Sequence, residues 1–198
     1  NWNSYDVQYW KGKYNFKKET LLKFNVSPVE RVWLNDKPYY HYSANPYDLC
    51  YAYHFGEYIY KIYFPLRKER RFIHNDSTIL QGYDQLTSKG DILVITKSYK
   101  DVMKMYEYNI NAVAPMSETI WEIKQWEELN ERFLNKFVFG DHDAAGRRFI
   151  NTISSLYNIP GICSPFGFPK DFTDLQEEKG DEFTTESIDY ILNRLNYG

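Results

Sequence analysis

The sequence predicts an α/β fold, with a parallel sheet flanked by helices over residues 90–198 and a smaller α+β lobe before it over residues 1–89. Two observations support this prediction. In the second half, apolar runs of strand length alternate with segments of helix length, and the connections between them are short. The first half is instead rich in Tyr, of which the chain has 19, and aromatic residues favour strands.

The second half contains four predicted strands. The continuous apolar run 91–96 is typical of a strand buried on both faces, and further strands are predicted over 112–114, 137–139 and 161–163. Helical spacing follows the first strand, and other helices are predicted over 122–134, 144–157 and 187–195. Strands that alternate with helices indicate a parallel sheet, in which ligands bind outside the carboxyl ends of the strands.

The first half is expected to begin with a small helix from about Phe16 to Val26, followed by a β-rich region over 29–64. The segment 58–64 is predicted to be a strand that ends at Pro65. A basic turn over 67–71 follows, and the hinge between the two halves is expected at 88–90.

The net charge of −3 is unevenly divided along the chain. Residues 1–89 hold 13 Lys and Arg against 9 Asp and Glu, a net +4, whereas residues 90–198 hold 11 against 18, a net −7. A basic, aromatic half beside an acidic half suits a protein that holds a polyanion near a cation site.

Composition also excludes some classes of protein. No apolar run approaches the roughly 20 residues that span a bilayer, so we expect no membrane partner.

Cys50 and Cys163 show no metal-ligand spacing and are typical of reduced thiols, which predicts a cytoplasmic protein. Because the chain begins at Asn1 without Met, we expect it to be a segment of a longer protein.

The most informative segment is Phe-Val-Phe-Gly-Asp-His-Asp-Ala-Ala-Gly-Arg at 137–147. Asp141 and Asp143 leave the end of an apolar strand, and side chains two residues apart in an extended chain share a face. Converging carboxylate oxygens suit a hard cation such as Mg²⁺, or Mn²⁺, which bridges to phosphate. The alternative is that one aspartate simply caps the next helix. We favour the metal site, and with it phosphate chemistry.

The second half resembles a TOPRIM domain, the fold shared by bacterial-type primases, topoisomerases and some nucleases. The second motif of that family, Asp-x-Asp followed by Ala-Gly and a helix, is matched at 141–147. The trailing aspartate of the first motif is Asp101, but Lys97 stands where the family has a glutamate. A third element of the family looks like the segment that contains Lys170, Asp171 and Asp174.

The resemblance implies a metal site formed by Asp141, Asp143 and Asp171 and supported by Asp101. Asp101 also suits the first turn of a helix, where a negative side chain is favoured anyway. Lys97 cannot bind a metal ion, so its implied roles are contact with phosphate or protonation of a leaving group. We hypothesise that Glu118, which follows the second strand, supplies the missing carboxylate; the alternative is a glutamate that begins a helix.

The first half is similar to the amino-terminal part of a primase catalytic core, with a strand over 62–67 leading into a basic region. A basic run is usually a solvated loop, but here Phe64 and Phe72 are interleaved and offer surfaces for base stacking. We therefore predict nucleic-acid or nucleotide contact for seven residues, namely Arg67, Lys68, Arg70, Arg71, Asn75, Arg147 and Lys170.

Taken together, the motifs look most like the catalytic core of bacteriophage DnaG-type primases. This resemblance implies a nucleotidyltransferase that uses magnesium to copy single-stranded DNA into short RNA primers during phage DNA replication. Its implied partners are the single-stranded DNA template, nucleoside triphosphates and a replicative helicase. Two alternatives stay open: a TOPRIM nuclease, which Lys97 disfavours, and a nucleic-acid-binding TOPRIM module without catalytic activity, which Lys97 favours.

Overall fold

The structure is a computed structural model that describes residues 2–42, 45, 47–117, 119, 121–164, 169 and 172–196, with side chains described up to residue 189. The chain forms two compact units, Asn1–Ile79 and Leu80–Gly198. The sequence predicts a boundary between residues 89 and 90, whereas the units divide between 79 and 80. The difference arises because β7 (Leu80–Gln81) pairs with the sheet of the second unit.

The first unit begins with a helix whose hydrogen-bonding pattern changes along its length. α1 (Ser4–Val7) continues as π-helical turns over Gln8–Lys13, a start that the sequence did not predict. The Asn3 side chain accepts from the Asp6 backbone N–H at 3.0 Å, and the Asp6 carboxylate accepts from the Asn3 N–H at 2.8 Å, which closes a capping box. The predicted small helix corresponds to α2 (Lys18–Lys23), which is shorter than expected.

The strands of the first unit form an antiparallel sheet and a separate hairpin. The sheet has the order β1-β4-β5-β6, and the hairpin is formed by β2 and β3. The strands are β1 (Val26–Pro28), β2 (Arg31–Leu34), β3 (Lys37–His41), β4 (Tyr51–His54), β5 (Tyr60–Tyr63) and β6 (Phe72–His74). Both faces of the central strands are buried, because Tyr51 and Tyr53 pack on one side while Ala52 joins an apolar cluster on the other.

The second unit contains the predicted parallel sheet, which is confirmed. Its strand order is β11-β10-β8-β9-β7; the first four are parallel, and β7 is antiparallel to β9. The strands after β7 are β8 (Gly90–Ile95), β9 (Asn111–Pro115), β10 (Phe133–Gly140) and β11 (Gly161–Cys163). β8 and β10 lie side by side, with Ile95 opposite Val138, so both strands end at the same edge of the sheet.

Helices cover both faces of this sheet. Leu93, Ile95 and Val138 pack into one core with residues of α4 and α5, whereas Val94 and Phe137 line a small cavity with residues of α3 and α6 on the other face. The helices are α3 (Tyr99–Glu107), α4 (Trp126–Arg132), α5 (Ala144–Tyr157) and α6 (Phe172–Asn196), the last broken at Gly180, where φ is +81°. Within the described part of the chain, no helix has the length and apolar character needed to cross a membrane.

Two predicted helices have different bounds in the structure. The helix predicted over 122–134 is limited to α4, because Phe133 begins β10 instead, opposite Gly90. The Phe133 ring packs so closely there that a Cβ at Gly90 would lie 2.9 Å from it. The closing helix predicted over 187–195 starts earlier, after the break at Gly180. Helical turns before that break begin at Phe172 and place Asp174 in a first helical turn rather than in the expected loop.

Candidate functional site

The carboxyl ends of β8 and β10 bring Lys97 and Asp141 together. Asp141 follows directly after β10, and Lys97 lies two residues beyond the end of β8. The Lys97 ammonium donates to Asp141 Oδ2, and the exposed fractions of the two side chains are 14% and 3%. The two residues therefore form a nearly buried ion pair at the edge of the sheet where ligands bind in α/β proteins.

Asp143 caps the helix that follows. Its Oδ1 accepts from the Gly146 backbone N–H at 2.8 Å, so the capping alternative raised by the sequence applies to this residue. A Cβ at Gly146 would lie 2.4 Å from the carbonyl oxygen of Asp141. Only glycine at this position lets the first turn of α5 approach the end of β10 so closely, which explains the Ala-Ala-Gly of the motif.

Asp101 is buried and ties two helices together. Its Oδ2 accepts from the Ser98 hydroxyl at 2.7 Å, at the N-terminus of α3. Its Oδ1 accepts from the Thr173 backbone N–H at 3.0 Å and from the Thr173 hydroxyl at 2.7 Å, in the first turn of α6. These contacts fix the start of α3 against the start of α6, and the role predicted for Asp101 at a metal site stays a prediction.

The described residues do not by themselves fit a metal ion. No group of three His, Cys, Asp or Glu side chains that could hold a metal occurs among them. The carboxylate of Asp141 is already bound to an ammonium, which would repel a divalent cation. Three residues predicted for the site, Glu118, Lys170 and Asp171, lie outside the described residues, and their roles stay predictions.

Arg147 and Cys163 complete the described surroundings of Asp141. The Arg147 guanidinium donates to the carbonyl oxygen of His142, and the Cys163 thiol donates to the carbonyl oxygen of Asp141 at 3.3 Å. Burial raises the pKa of Cys163, while Arg147 lowers it and the carboxylates of Asp141 and Asp143 raise it further. Charges of both signs thus act on this edge of the sheet at close range.

In the first unit, Arg67 and Asn75, which were predicted to bind nucleic acid, pair with other groups of the protein. The Arg67 guanidinium donates to the Asp48 carboxylate, with Nε 3.1 Å from Oδ1, and lies 3.7 Å from the centre of the Phe64 ring. The Asn75 side chain accepts from the Tyr60 backbone N–H at 3.0 Å and donates to the Tyr58 carbonyl at 2.6 Å. Arg67 and Asn75 therefore hold loops around β5 and β6.

Arg71, a further predicted residue of the first unit, lies beside an exposed aromatic ring. Lys68 and Arg70 are exposed, and Arg71 donates to the Tyr63 hydroxyl and the Pro65 carbonyl, both at 3.3 Å. Phe72, on the edge strand β6, is 47% exposed and stacks on Tyr63 with ring centres 4.9 Å apart and planes at 9°.

A buried lysine lies against the same ring. The Lys61 ammonium lies 4.6 Å from the centre of the Phe72 ring, and burial lowers the pKa of Lys61 to about 8. The Arg71 guanidinium lies 5.9 Å from the same centre. We name Lys61, Arg71 and Phe72 the edge platform, because they combine an exposed aromatic surface with two cations.

Sequence reasoning missed several residues that shape these sites. Ser98 was detectable, because a serine three residues before an aspartate is typical of a helix N-terminus. Thr173, Cys163 and Asp48 gave no signal, since each acts through a contact with a residue distant in sequence. Lys61 was also missed, because a lysine between apolar residues of a strand is usually solvent-facing.

Neither a protein-family model nor a curated protein matches this sequence. Solved structures do match it. A DNA primase domain from Pseudomonas aeruginosa superposes with a TM-score of 0.70 at 16% identity, covering 93% of this chain and 71% of that chain. The DnaG primase catalytic domain bound to single-stranded DNA gives a TM-score of 0.70 at 15% identity, covering 95% of this chain and 71% of that chain.

A third similar structure is the primase fragment of the bacteriophage T7 primase-helicase protein. Its TM-score is 0.63 at 15% identity, and the match covers 87% of this chain and 69% of that chain. At these identities the likeness shows the fold. The chain has the fold of DnaG-type primase catalytic cores, of which TOPRIM is one domain, as its motifs predict.

Proposed function

We propose that this chain, with the fold of a DnaG-type primase catalytic core, is a primase-type nucleotidyltransferase that copies single-stranded DNA into a short RNA primer. The supporting observation is that the fold likeness runs through both units, over 93% and 95% of the chain in two comparisons. The Asp141 and Asp143 motif lies at the carboxyl end of a central parallel strand, where ligands bind in such sheets.

The solved neighbours also suggest partners. One is a DnaG catalytic domain bound to single-stranded DNA, and another is the primase fragment of a phage primase-helicase. We therefore propose that the chain works on single-stranded DNA with nucleoside triphosphates and a replicative helicase. The phage-like motifs favour phage DNA replication in the bacterial cytoplasm as the setting.

In the second unit, Lys97 and Arg147 bring positive charge to the edge where nucleotide would bind. Primer extension joins a 3′-hydroxyl to the α-phosphate and releases pyrophosphate, on which negative charge develops. Fixed cations offset such charge well because they need no reorganisation during the reaction. Asp141 orients the Lys97 ammonium, and Asp143 fixes the turn that carries Arg147.

In the first unit, the edge platform suits the template strand. Bases of any sequence can stack on the exposed Phe72 ring, while Arg71 and the exposed Lys68 and Arg70 attract phosphates. This arrangement binds single strands without reading their sequence.

The test is a primer-synthesis assay with labelled nucleoside triphosphates and single-stranded DNA, in Mg²⁺, in Mn²⁺ and in chelator. We expect product from the parent and a loss on the order of 100-fold or more in Asp141→Asn/Asp143→Asn, because these carboxylates hold Lys97 and the turn of Arg147, whose charges act on the reacting phosphates. The matched control is Glu127→Gln/Glu131→Gln, which makes the same change at two exposed acids of α4 and should leave synthesis unchanged.

Other outcomes of this assay point to other functions. DNA binding by the parent without product under any condition would favour a non-catalytic binding module. That second candidate is supported by the Lys97–Asp141 ion pair, which occupies the carboxylate of the motif. Degradation of the labelled single strand without nucleotides would instead indicate a nuclease.

Template binding has its own test, by fluorescence anisotropy with a labelled single strand. Phe72→Ala should weaken binding by roughly 5- to 100-fold, the range expected when one base loses its stacking partner. Tyr58→Ala removes an aromatic side chain of the same unit that is even more exposed, and it should have little effect. Arg70→Glu/Arg71→Glu should weaken binding and flatten its dependence on salt; equal binding by all four proteins would exclude the edge platform.

A further inference from the structure

The pairing of Lys97 with Asp141 follows from the register of two neighbouring strands. β8 and β10 are adjacent and parallel, so the residues that follow them emerge at the same edge of the sheet. The Lys97 ammonium donates to Asp141 Oδ2, and only 3% of the Asp141 side chain is exposed. The contact therefore joins two charges that water can hardly reach.

A carboxylate buried to this extent is costly unless other groups replace its water. A cation together with hydrogen bonds offsets that cost well, and a cation at hydrogen-bond distance offsets it most directly. In an acidic site that charge comes from a bound metal ion, whose ligands are oxygens. Here Lys97, on the neighbouring strand end, supplies it from the chain.

We infer that Lys97 is a built-in cation, whose ammonium takes the place at Asp141 that a divalent cation takes in an acidic site. Asp141 is thereby neutralised by the chain itself and is closed to Mg²⁺ and Mn²⁺. The inference does not rest on the proposed primase activity, because it concerns the charge balance of the folded protein alone.

The inference predicts that a single substitution creates a divalent-cation site. Lys97→Glu places a second carboxylate against Asp141, with Asp143 two residues away, and leaves no ammonium on Asp141 Oδ2. Two facing carboxylates repel each other and favour binding of a cation between them. Lys97→Met removes the ammonium without adding a ligand, and its affinity should be intermediate.

The experiment measures Mn²⁺ binding by calorimetry on the full chain, without nucleotide or DNA. We expect the affinity to rise by about tenfold or more from the parent to Lys97→Met and again to Lys97→Glu. In thermal unfolding, Mn²⁺ should raise the midpoint of Lys97→Glu by roughly 5–10 °C over its value in chelator and leave the parent within about 1 °C.

Lys124→Glu is the matched control, because it makes the same charge change at an exposed lysine of the same unit and should bind no additional Mn²⁺. Lys97→Glu/Asp141→Asn should lose the gained affinity. The inference is overturned if the parent binds Mn²⁺ as tightly as Lys97→Met and Lys97→Glu. If Lys97→Glu does not fold, the comparison of the parent with Lys97→Met decides in the same way. Because no nucleotide is present, this result can fail or succeed independently of primer synthesis.

Discussion

The two units bury polar groups in different ways. In the first unit, tyrosine hydroxyls form buried hydrogen bonds: Tyr9 and Tyr63 share one of 2.8 Å, and Tyr51 donates to the Asp6 carboxylate at 3.0 Å. In the second unit, full charges are paired, as in Lys97 with Asp141 and Lys104 with Glu107.

The two kinds of buried pair have different consequences for the electric field inside each unit. A neutral hydroxyl pair such as Tyr9–Tyr63 loses little when it is desolvated, so it can lie inside a small sheet without creating a strong field. Burial raises the pKa values of Tyr9 and Tyr51 well above the usual range, which keeps them neutral. Buried ion pairs such as Lys97–Asp141 create strong local fields, which can hold a charged ligand at the edge of the sheet. The phosphate chemistry proposed for the second unit would use this field.

The strongest test of this difference between the units removes one charge of the ion pair within α3. Lys104 and Glu107 are joined at 2.8 Å, with side chains 2% and 7% exposed. We expect Glu107→Gln to lower the free energy of unfolding by about 3–5 kcal/mol, because the carboxylate that neutralises a buried ammonium is lost. Chemical denaturation measures this loss.

The control for that prediction is Glu128→Gln, which breaks an i,i+4 pair with Arg132 whose glutamate is 54% exposed. It should cost less than about 1 kcal/mol. Lys104→Met/Glu107→Leu should restore most of the stability lost in the single variant. A loss below 1 kcal/mol in Glu107→Gln would mean that the second unit does not depend on buried charge.

Lys61 is a buried ionisable group in the first unit. The effect of replacing it on stability should lie between those of Glu107→Gln and Tyr9→Phe. Burial lowers its pKa from 10.5 to about 8, so between these values the unfolded chain binds a proton that the folded chain does not. Its contribution to the free energy of unfolding therefore rises with pH from about 8 to about 10, on the order of 1.4 kcal/mol per pH unit at most.

The measurement compares the parent with Lys61→Met at pH 7 to 10. At pH 7 the variant should be the more stable protein, because the parent then buries a charge, and the difference should shrink as the pH rises through 8. Tyrosines with raised pKa values oppose this trend above pH 10 but are common to both proteins. A difference that does not change with pH would contradict the assignment to Lys61.

The smallest expected effect tests the neutral pairs themselves. Tyr9→Phe removes one hydroxyl from the Tyr9–Tyr63 hydrogen bond, while the Tyr63 hydroxyl keeps its contact with Arg71 at 3.3 Å. We expect a loss of about 1 kcal/mol, typical of one neutral hydrogen bond. Tyr5→Phe, at an exposed position of α1, should leave the free energy of unfolding nearly unchanged in the same denaturation measurement. If Tyr9→Phe lost as much stability as Glu107→Gln, the two units would not differ in the way described.

The two units also differ in how well the sequence predicts them. In the second unit, strands buried on both faces leave continuous apolar runs, and a helix as amphipathic as α5 leaves a clear period. β8, β9, α5 and β11 were therefore predicted nearly at their bounds. In the first unit, the π-helical turns over Gln8–Lys13 have no corresponding sequence period, because Tyr9 and Trp10 are consecutive and both are buried.

The sequence predicts where the candidate site lies, but not which of its side chains bind each other. The motif at 141–147 and the order of strands place Asp141 and Lys97 at one edge, which the sequence predicts. That the ammonium binds Asp141 depends on β8 and β10 being neighbours, a property of the folded sheet. The same holds for Arg67, whose bond to Asp48 depends on how loops of the first unit fold.

The concentration of packed rings in the first unit has a spectroscopic consequence. Tyr9, Trp10 and Tyr51 lie with ring centres 5.1–5.7 Å apart, close enough for their electronic transitions to couple. Near-ultraviolet circular dichroism should therefore be dominated by this unit, whereas the far-ultraviolet signal reports mainly the longer helices of the other. A single denaturation series, recorded at both wavelengths, can follow the melting of each unit by its own optical signature.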